Sequence, residues 1–146
     1  MLDKNKIGHE FPSFTAEIEK GRLRFFAKAI GETNPIYTDE GAAQAAGYRT
    51  IPAPPTFMFS VDLEGPELLP VLKLLELDLG RVLHGSQTFE YLGQVYAGDR
   101  ITQQSKIADI FDKKGGALEF VVQKSTYTNQ NGELVGTAQQ TLVYRN

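Results

Sequence analysis

Cysteine is absent from the 146 residues, which excludes disulfides and thiolate metal sites. Histidine is nearly absent: His9 and His84 are the only two and stand far apart, which argues against a zinc site. No apolar run approaches the ~20 residues of a membrane span. The polar opening MLDKNKIGHE has no signal-peptide character, so a soluble, cytoplasmic protein without metal or cofactor is expected. A large charge excess is missing too. The net charge is −3 with both signs interspersed, which gives no electrostatic reason to expect nucleic acid. The basic pairs Arg22/Arg24 and Lys113/Lys114 either meet phosphates or, as the favoured reading, belong to a solvated face. There is no internal repeat and no low-complexity tract. The length fits one domain, 1–146, able to bury roughly two-thirds of its unfolded surface without staples.

What is present changes character near residue 80. In EKGRLRFFAKAIG, the residues Leu23, Phe26, Ala27 and Ile30 recur at helical spacing and predict one apolar helix face, with Gly31 as its stop. TDEGAAQAAG reads as a short second helix, capped by Thr38 or Asp39 and ended at Gly47. The prolines of IPAPPTFMFSVDLEG hold the chain extended at first. Pro55 then suits a helix start, because its missing N–H is no loss in the first turn. Phe57, Met58, Phe59 and Val61 are apolar enough for that helix to be buried, and PELLPVLKLLELDLG adds a helical turn or two. After residue 80 the pattern becomes that of about four strands, with NQNG as a hairpin signal. Helices before a run of strands predict an α+β domain with a helix packed on a meander of antiparallel strands.

One loop concentrates groups capable of acid–base chemistry. GETNPIY, residues 31–37, sets Glu32, Asn34 and Tyr37 close together between two helices. Glu32 is either a working carboxylate or a solvated residue past a helix end. Tyr37 is either a proton donor or a packed aromatic whose hydroxyl finds a partner. Asn34 suits holding the turn before Pro35. His84 begins a strand beside Gly85, which permits close backbone approach; it either meets a ligand or packs on a sheet face. Thr56 and Phe57 carry the free N–H groups of the APPTF helix start, where the dipole favours a developing negative charge. Asp62 and Glu64 fall on the same helix, and Asp99 in the turn AGDR suits bonding loop backbone.

The order helix, GETNPIY, short helix, AGY, APPTF and a sheet containing AGD resembles the MaoC-like dehydratases, and most closely their N-terminal, FAS1-like dehydratase domain. The resemblance covers nearly the whole chain. It implies a hot-dog fold, in which a curved antiparallel sheet wraps a long central helix. It also implies homodimers or heterodimers with acyl-thioester tunnels at the interface. The implied chemistry is reversible hydration of trans-2-enoyl-CoA or enoyl-ACP to the (R)-3-hydroxyacyl thioester.

Catalytic members of that family carry G-D-x-N-P-x-H, whose Asp and His hold the attacking water. Here Gly31, Asn34 and Pro35 match, whereas Glu32 and Tyr37 stand at the two chemical positions. Tyr, with a pKa of ~10, is a donor at neutral pH and a poor base. Glu is one methylene longer than Asp, and a ~1 Å misplacement can cost on the order of a hundredfold. The resemblance therefore implies a subunit that shapes the acyl tunnel beside a catalytic MaoC-type partner, with Asn34, Pro55, Thr56, Phe57 and Gly85 toward the substrate. The competing expectations are a self-sufficient hydratase using Glu32 with Tyr37 or His84, a hot-dog thioesterase, and an acyl-CoA binding module without turnover.

Overall fold

The computed structural model describes residues 1–146. Five strands, β1 (Phe14–Glu17), β2 (Val82–Tyr91), β3 (Arg100–Lys113), β4 (Leu118–Thr128) and β5 (Leu134–Arg145), form one antiparallel sheet in the order β1-β3-β4-β5-β2. Four short helices accompany it: α1 (Lys20–Ala29), α2 (Glu40–Ala45), α3 (Met58–Asp62) and α4 (Pro70–Leu74).

The meander expected over the second half holds for β3, β4 and β5. The β4–β5 hairpin is tied by Asn129, whose Oδ1 accepts from Asn131 N at 2.9 Å and Glu133 N at 3.1 Å. Gly132 follows at φ 78°, a conformation glycine adopts without cost. β2 departs from the expected meander: it pairs with β5, from Val82 opposite Tyr144 to Tyr91 opposite Gly136, and not with β3. The β2–β3 connection is no hairpin because its backbone bonds elsewhere. Ala53 N donates to Val95 O at 2.8 Å and Ala97 N donates to Ile51 O at 2.9 Å, which carries the chain across to the opposite edge. β1 was not expected. Its four residues, FTAE, are too few to show alternation, and only Ala16 among them is buried.

The α1 periodicity is realised in part. Leu23 and Ala27 are fully buried, while Ile30 is half exposed because the helix ends there. Gly31 at φ 74° turns the chain, and Glu32 N returns to Ala27 O at 2.9 Å, the closing bond of a glycine C-cap. Asp39, rather than Thr38, caps α2, accepting from Ala42 N at 2.8 Å.

The expected long central helix is a correction: α3 spans five residues. Thr56 at φ 74° breaks the helical path before it. Beyond Leu63 the pair Gly65–Pro66 disfavours helix on both sides of its peptide bond. Helix resumes only at Pro70, after Leu69 at φ 51°. α3 still lies against the sheet, with Met58 and Val61 in a cluster that includes Leu23, Ile51, Ile101 and Tyr127. A second cluster, including Phe11, Val71, Ile107, Val121 and Leu142, packs under α4. Each large apolar side chain buried in these clusters contributes about 1.5–3 kcal/mol. Between the clusters the buried residues turn polar: Gln103, Ser105, Gln123 and Ser125. A buried polar group left without a partner costs about 1–3 kcal/mol, and every fully buried side-chain polar atom of that strip has one.

Candidate active site

The 31–37 loop is built by local bonds. Glu32 Oε1 accepts from Thr33 N at 2.9 Å and Asn34 N at 2.8 Å, so the carboxylate is folded back on its own backbone. Asn34 Oδ1 accepts from Ile36 N at 3.2 Å, and Pro35 opens a 3-10 turn, Pro35–Tyr37. The turn presents the half-buried Tyr37 to a cavity of about 150 Å³. Pro55, Phe57, Tyr91 and Gln94 line it with Tyr37. Burial, then the Glu32 carboxylate, then Tyr48 push the Tyr37 phenol above its ordinary pKa. Tyr37 therefore stays protonated at neutral pH, a donor and not a base.

The two backbone donors anticipated at the helix start are both engaged. Phe57 N donates to Pro54 O at 3.1 Å. Thr56 N donates to the Tyr91 hydroxyl at 2.9 Å. Tyr91 stacks on Phe89 with ring centroids 6.0 Å apart. A hydroxyl that accepts from a backbone N–H becomes a better donor through its own proton, so Tyr91 relays the Thr56 dipole to the cavity. Sequence reasoning missed Tyr91 as a site residue; the one signal was its position on the same strand face as Phe89.

His84 is elsewhere. It stands seven positions from Tyr91 on β2, which at ~3.3 Å per residue separates them by about 20 Å. Its Nε2 lies 3.1 Å from Gln87 Oε1, and its ring meets Phe59 edge-on at 5.7 Å. Gly85 serves the sheet: a Cβ there would lie 2.8 Å from Val143 Cγ2 and 3.0 Å from Thr141 O. The cavity thus brings Pro55 and Phe57 to Tyr37. Glu32 and Asn34 stay in the loop that carries Tyr37, and Thr56 reaches the cavity only through Tyr91. His84 and Gly85 lie at the far end of β2.

The other carboxylates singled out in the sequence have partners. Asp99, 2% exposed, accepts from Tyr96 N at 2.8 Å and Gln130 Nε2 at 2.9 Å and pairs with Arg49, holding the AGD turn. Glu64 pairs with Arg22. Asp62 Oδ1 accepts from the Tyr127 hydroxyl at 2.8 Å and from Gln103 Nε2 at 2.9 Å, with its pKa raised by burial. No group of three His, Cys, Asp or Glu residues is placed to hold a metal ion. No helix is long and apolar enough to cross a membrane.

A sheet of this order with a short helix on its inner face, and a G-E-T-N-P-I-Y loop at one end of that helix, defines a dehydratase-type hot-dog. The chain belongs to the family described as FAS1-like, dehydratase domain region, whose model matches residues 5–138. It is similar to the UPF0336 protein of Streptomyces coelicolor, 40% identical over 146 residues, with 99% of this chain and 95% of the relative covered. Among solved structures it resembles the C-terminally truncated HadBC (3R-hydroxyacyl-ACP dehydratase) complex of Mycobacterium tuberculosis. The TM-score there is 0.78 at 26% identity, over 94% of this chain and 96% of that one. A MaoC-like dehydratase of about twice the length shares the fold, with a TM-score of 0.83 at 21% identity, over 97% of this chain and 42% of that one.

Proposed function

We propose that this chain is the tunnel-shaping subunit of an (R)-specific enoyl-thioester hydratase, or 3-hydroxyacyl-thioester dehydratase, and that a MaoC-type hot-dog partner supplies the catalytic Asp and His. The observation that carries this reading is the state of the loop. Glu32 is turned onto the N–H groups of Thr33 and Asn34, and no histidine lines the Tyr37 cavity. Hydration needs a base and an acid within reach of one water. The cavity offers the Tyr37 phenol, raised above its ordinary pKa and so a donor and not a base, together with the Tyr91 hydroxyl. Two donors with apolar walls suit holding an acyl thioester.

The edge of the sheet supports partnering. β2 is ten residues long and has a neighbour on one side only, with Leu83, Tyr91 and the adjoining Leu92 about half exposed. An edge of that length and apolarity is a template for another strand. The kinship with a HadBC subunit fits the same arrangement. The thioester carrier is CoA or ACP, both cytoplasmic.

The test is hydration of crotonyl-CoA, followed as loss of enoyl absorbance, by the chain alone and mixed with a hot-dog protein carrying G-D-x-N-P-x-H. The expected result is no turnover alone, a heteromeric complex by mass, and activity in the mixture that changes with acyl length. Turnover by the chain alone, lost in Glu32→Ala and Tyr37→Phe, would replace this reading with a self-sufficient hydratase. Release of free thiol from acyl-CoA would replace it with a thioesterase.

A further inference from the structure

The sheet face beneath α3 is polar at its centre, where apolar residues would be expected. Along β3 the inward side chains run Ile101, Gln103, Ser105, Ile107; along β4, Val121, Gln123, Ser125, Tyr127; along β5, Ala138, Gln140, Leu142. Register places Ser105 opposite Ser125 and Gln123 opposite Gln140, so the polar positions form one patch across three strands. Part of the patch is satisfied internally. Gln103 Nε2 donates to Asp62 Oδ1 at 2.9 Å and to Ser125 Oγ at 3.3 Å, and Gln140 Nε2 donates to Gln123 Oε1 at 2.7 Å.

The rest of its hydrogen-bonding capacity is open. Asp62 Oδ2, Gln103 Oε1, Gln123 Nε2 and the Ser105 hydroxyl make no bond within the chain. Every fully buried side-chain polar atom has a partner, so these open atoms face space. That space is a cavity of about 110 Å³, walled on the sheet side by the polar patch. Its other walls are apolar apart from Asp62 and Glu67, and include Phe11, Phe14, Phe59, Leu69 and Val71. The cover is the irregular segment between α3 and α4, where Gly65 lets the Phe14 ring approach; a Cβ there would lie 3.0 Å from it.

The cavity shares no lining residue with the Tyr37 cavity; Phe59 and Asp62 of α3 face one, Met58 and Val61 the other. No Lys, Arg or His lines it, so an anionic group would meet Asp62 without a counter-charge. Donors and acceptors are both left open, which suits a group that is both at once. We propose that this chamber is a second binding site, for the uncharged hydroxyl of an apolar, chain-like ligand. The hydroxyl donates to Gln103 Oε1 or Asp62 Oδ2 and accepts from Gln123 Nε2, while the aromatic walls take the hydrocarbon.

The site is tested by titrating the intact chain with 1-hexanol, hexane, hexanoate and hexylammonium, reading the side-chain amide resonances of Gln103, Gln123 and Gln140 by NMR. Binding of a free alcohol needs neither a partner subunit nor turnover, so the result is independent of the dehydratase reading. Hexanol is expected to shift these amides with a lower Kd than the other probes. Gln123→Leu, or Gln123→Met should the first variant not fold, is expected to weaken hexanol about tenfold or more. Stronger binding of hexanoate or hexylammonium, equal binding of hexane, shifts confined to the Tyr37 cavity, absence of shifts, or unchanged affinity in a folded variant would each overturn the proposal.

Discussion

Tyr127→Phe isolates one hydrogen bond in the middle of the core. The phenol ring is fully buried and its hydroxyl donates to Asp62 at 2.8 Å. Phenylalanine keeps the ring and removes only the donor, leaving Asp62 with Gln103 alone. A hydrogen bond to a charged group is worth about 1.5–3 kcal/mol and one between neutral groups about 0.5–1.5. The loss should therefore depend on the state of Asp62. Burial raises its pKa, and the bonds from Tyr127 and Gln103 oppose that rise. Asp62 thus binds its proton more tightly in the folded chain than in the unfolded one. Its contribution to stability falls as pH rises, from the unfolded carboxylate value of about 3.9 up to the folded value. Above the folded value the core carries the Asp62 charge, and there Tyr127→Phe should cost about 2 kcal/mol. For a chain of this size that is a fall in Tm of about 4–8 °C. Below the folded value, where Asp62 holds its proton, the cost should drop to about 1 kcal/mol. Asp62→Asn is the control: its carbonyl oxygen still accepts both bonds without the buried charge. It should be neutral or stabilising above the folded value, and its advantage should vanish as pH falls. Urea denaturation at a pH on either side of the folded value gives the numbers. A Tyr127→Phe loss equal at both, or an Asp62→Asn variant less stable than Tyr127→Phe above the folded value, would refute the reasoning.

Glu32→Ala deprives Thr33 and Asn34 of their acceptor and should cost about 1 kcal/mol, as for a lost cap. It should slow hydration by the reconstituted heteromer less than about tenfold, against the 10²–10⁴ expected for a lost general base; a larger fall in kcat would make Glu32 catalytic. Gly136→Ala should destabilise by about 1–3 kcal/mol. The new methyl would lie 2.6 Å from Met58 Cε and 2.9 Å from Glu90 O, and an unchanged urea midpoint would show that α3 can withdraw. Thr56→Gly removes the strain of a branched, exposed residue at φ 74°. It should stabilise by about 1 kcal/mol, visible as a higher Tm, unless the Thr56 side chain holds something the bond to Tyr91 does not.

Local chemistry was legible in the sequence, and long-range pairing less so. The α1 face, the glycine stop at Gly31, the Asp39 cap and the NQNG turn follow from residues within a few positions of one another. Those interactions are set by short-range geometry. The partner of β2 was not legible, because it depends on the bonds of residues 51–53 to 95–97, which bring together segments about forty residues apart. The length of α3 fell between the two. Pro66 breaks a helix by its residue type, but the left-handed Thr56 carries no such mark. The polar patch was hidden for the opposite reason. Gln103, Ser105, Gln123 and Ser125 look like solvent-facing residues, and only the register of three strands turns them inward.

The same distinction explains why the loop's composition and its state diverge. GETNPIY announces a carboxylate and a phenol at the positions where the related dehydratases keep their acid and base. What it cannot announce is that the Glu32 carboxylate turns back onto the two N–H groups that follow it. Once Glu32 caps Thr33 and Asn34, the turn that carries Tyr37 is fixed by the residue that would otherwise have been its partner in catalysis. The Glu32 carboxylate holds the loop, and the Tyr37 and Tyr91 hydroxyls border an apolar cavity.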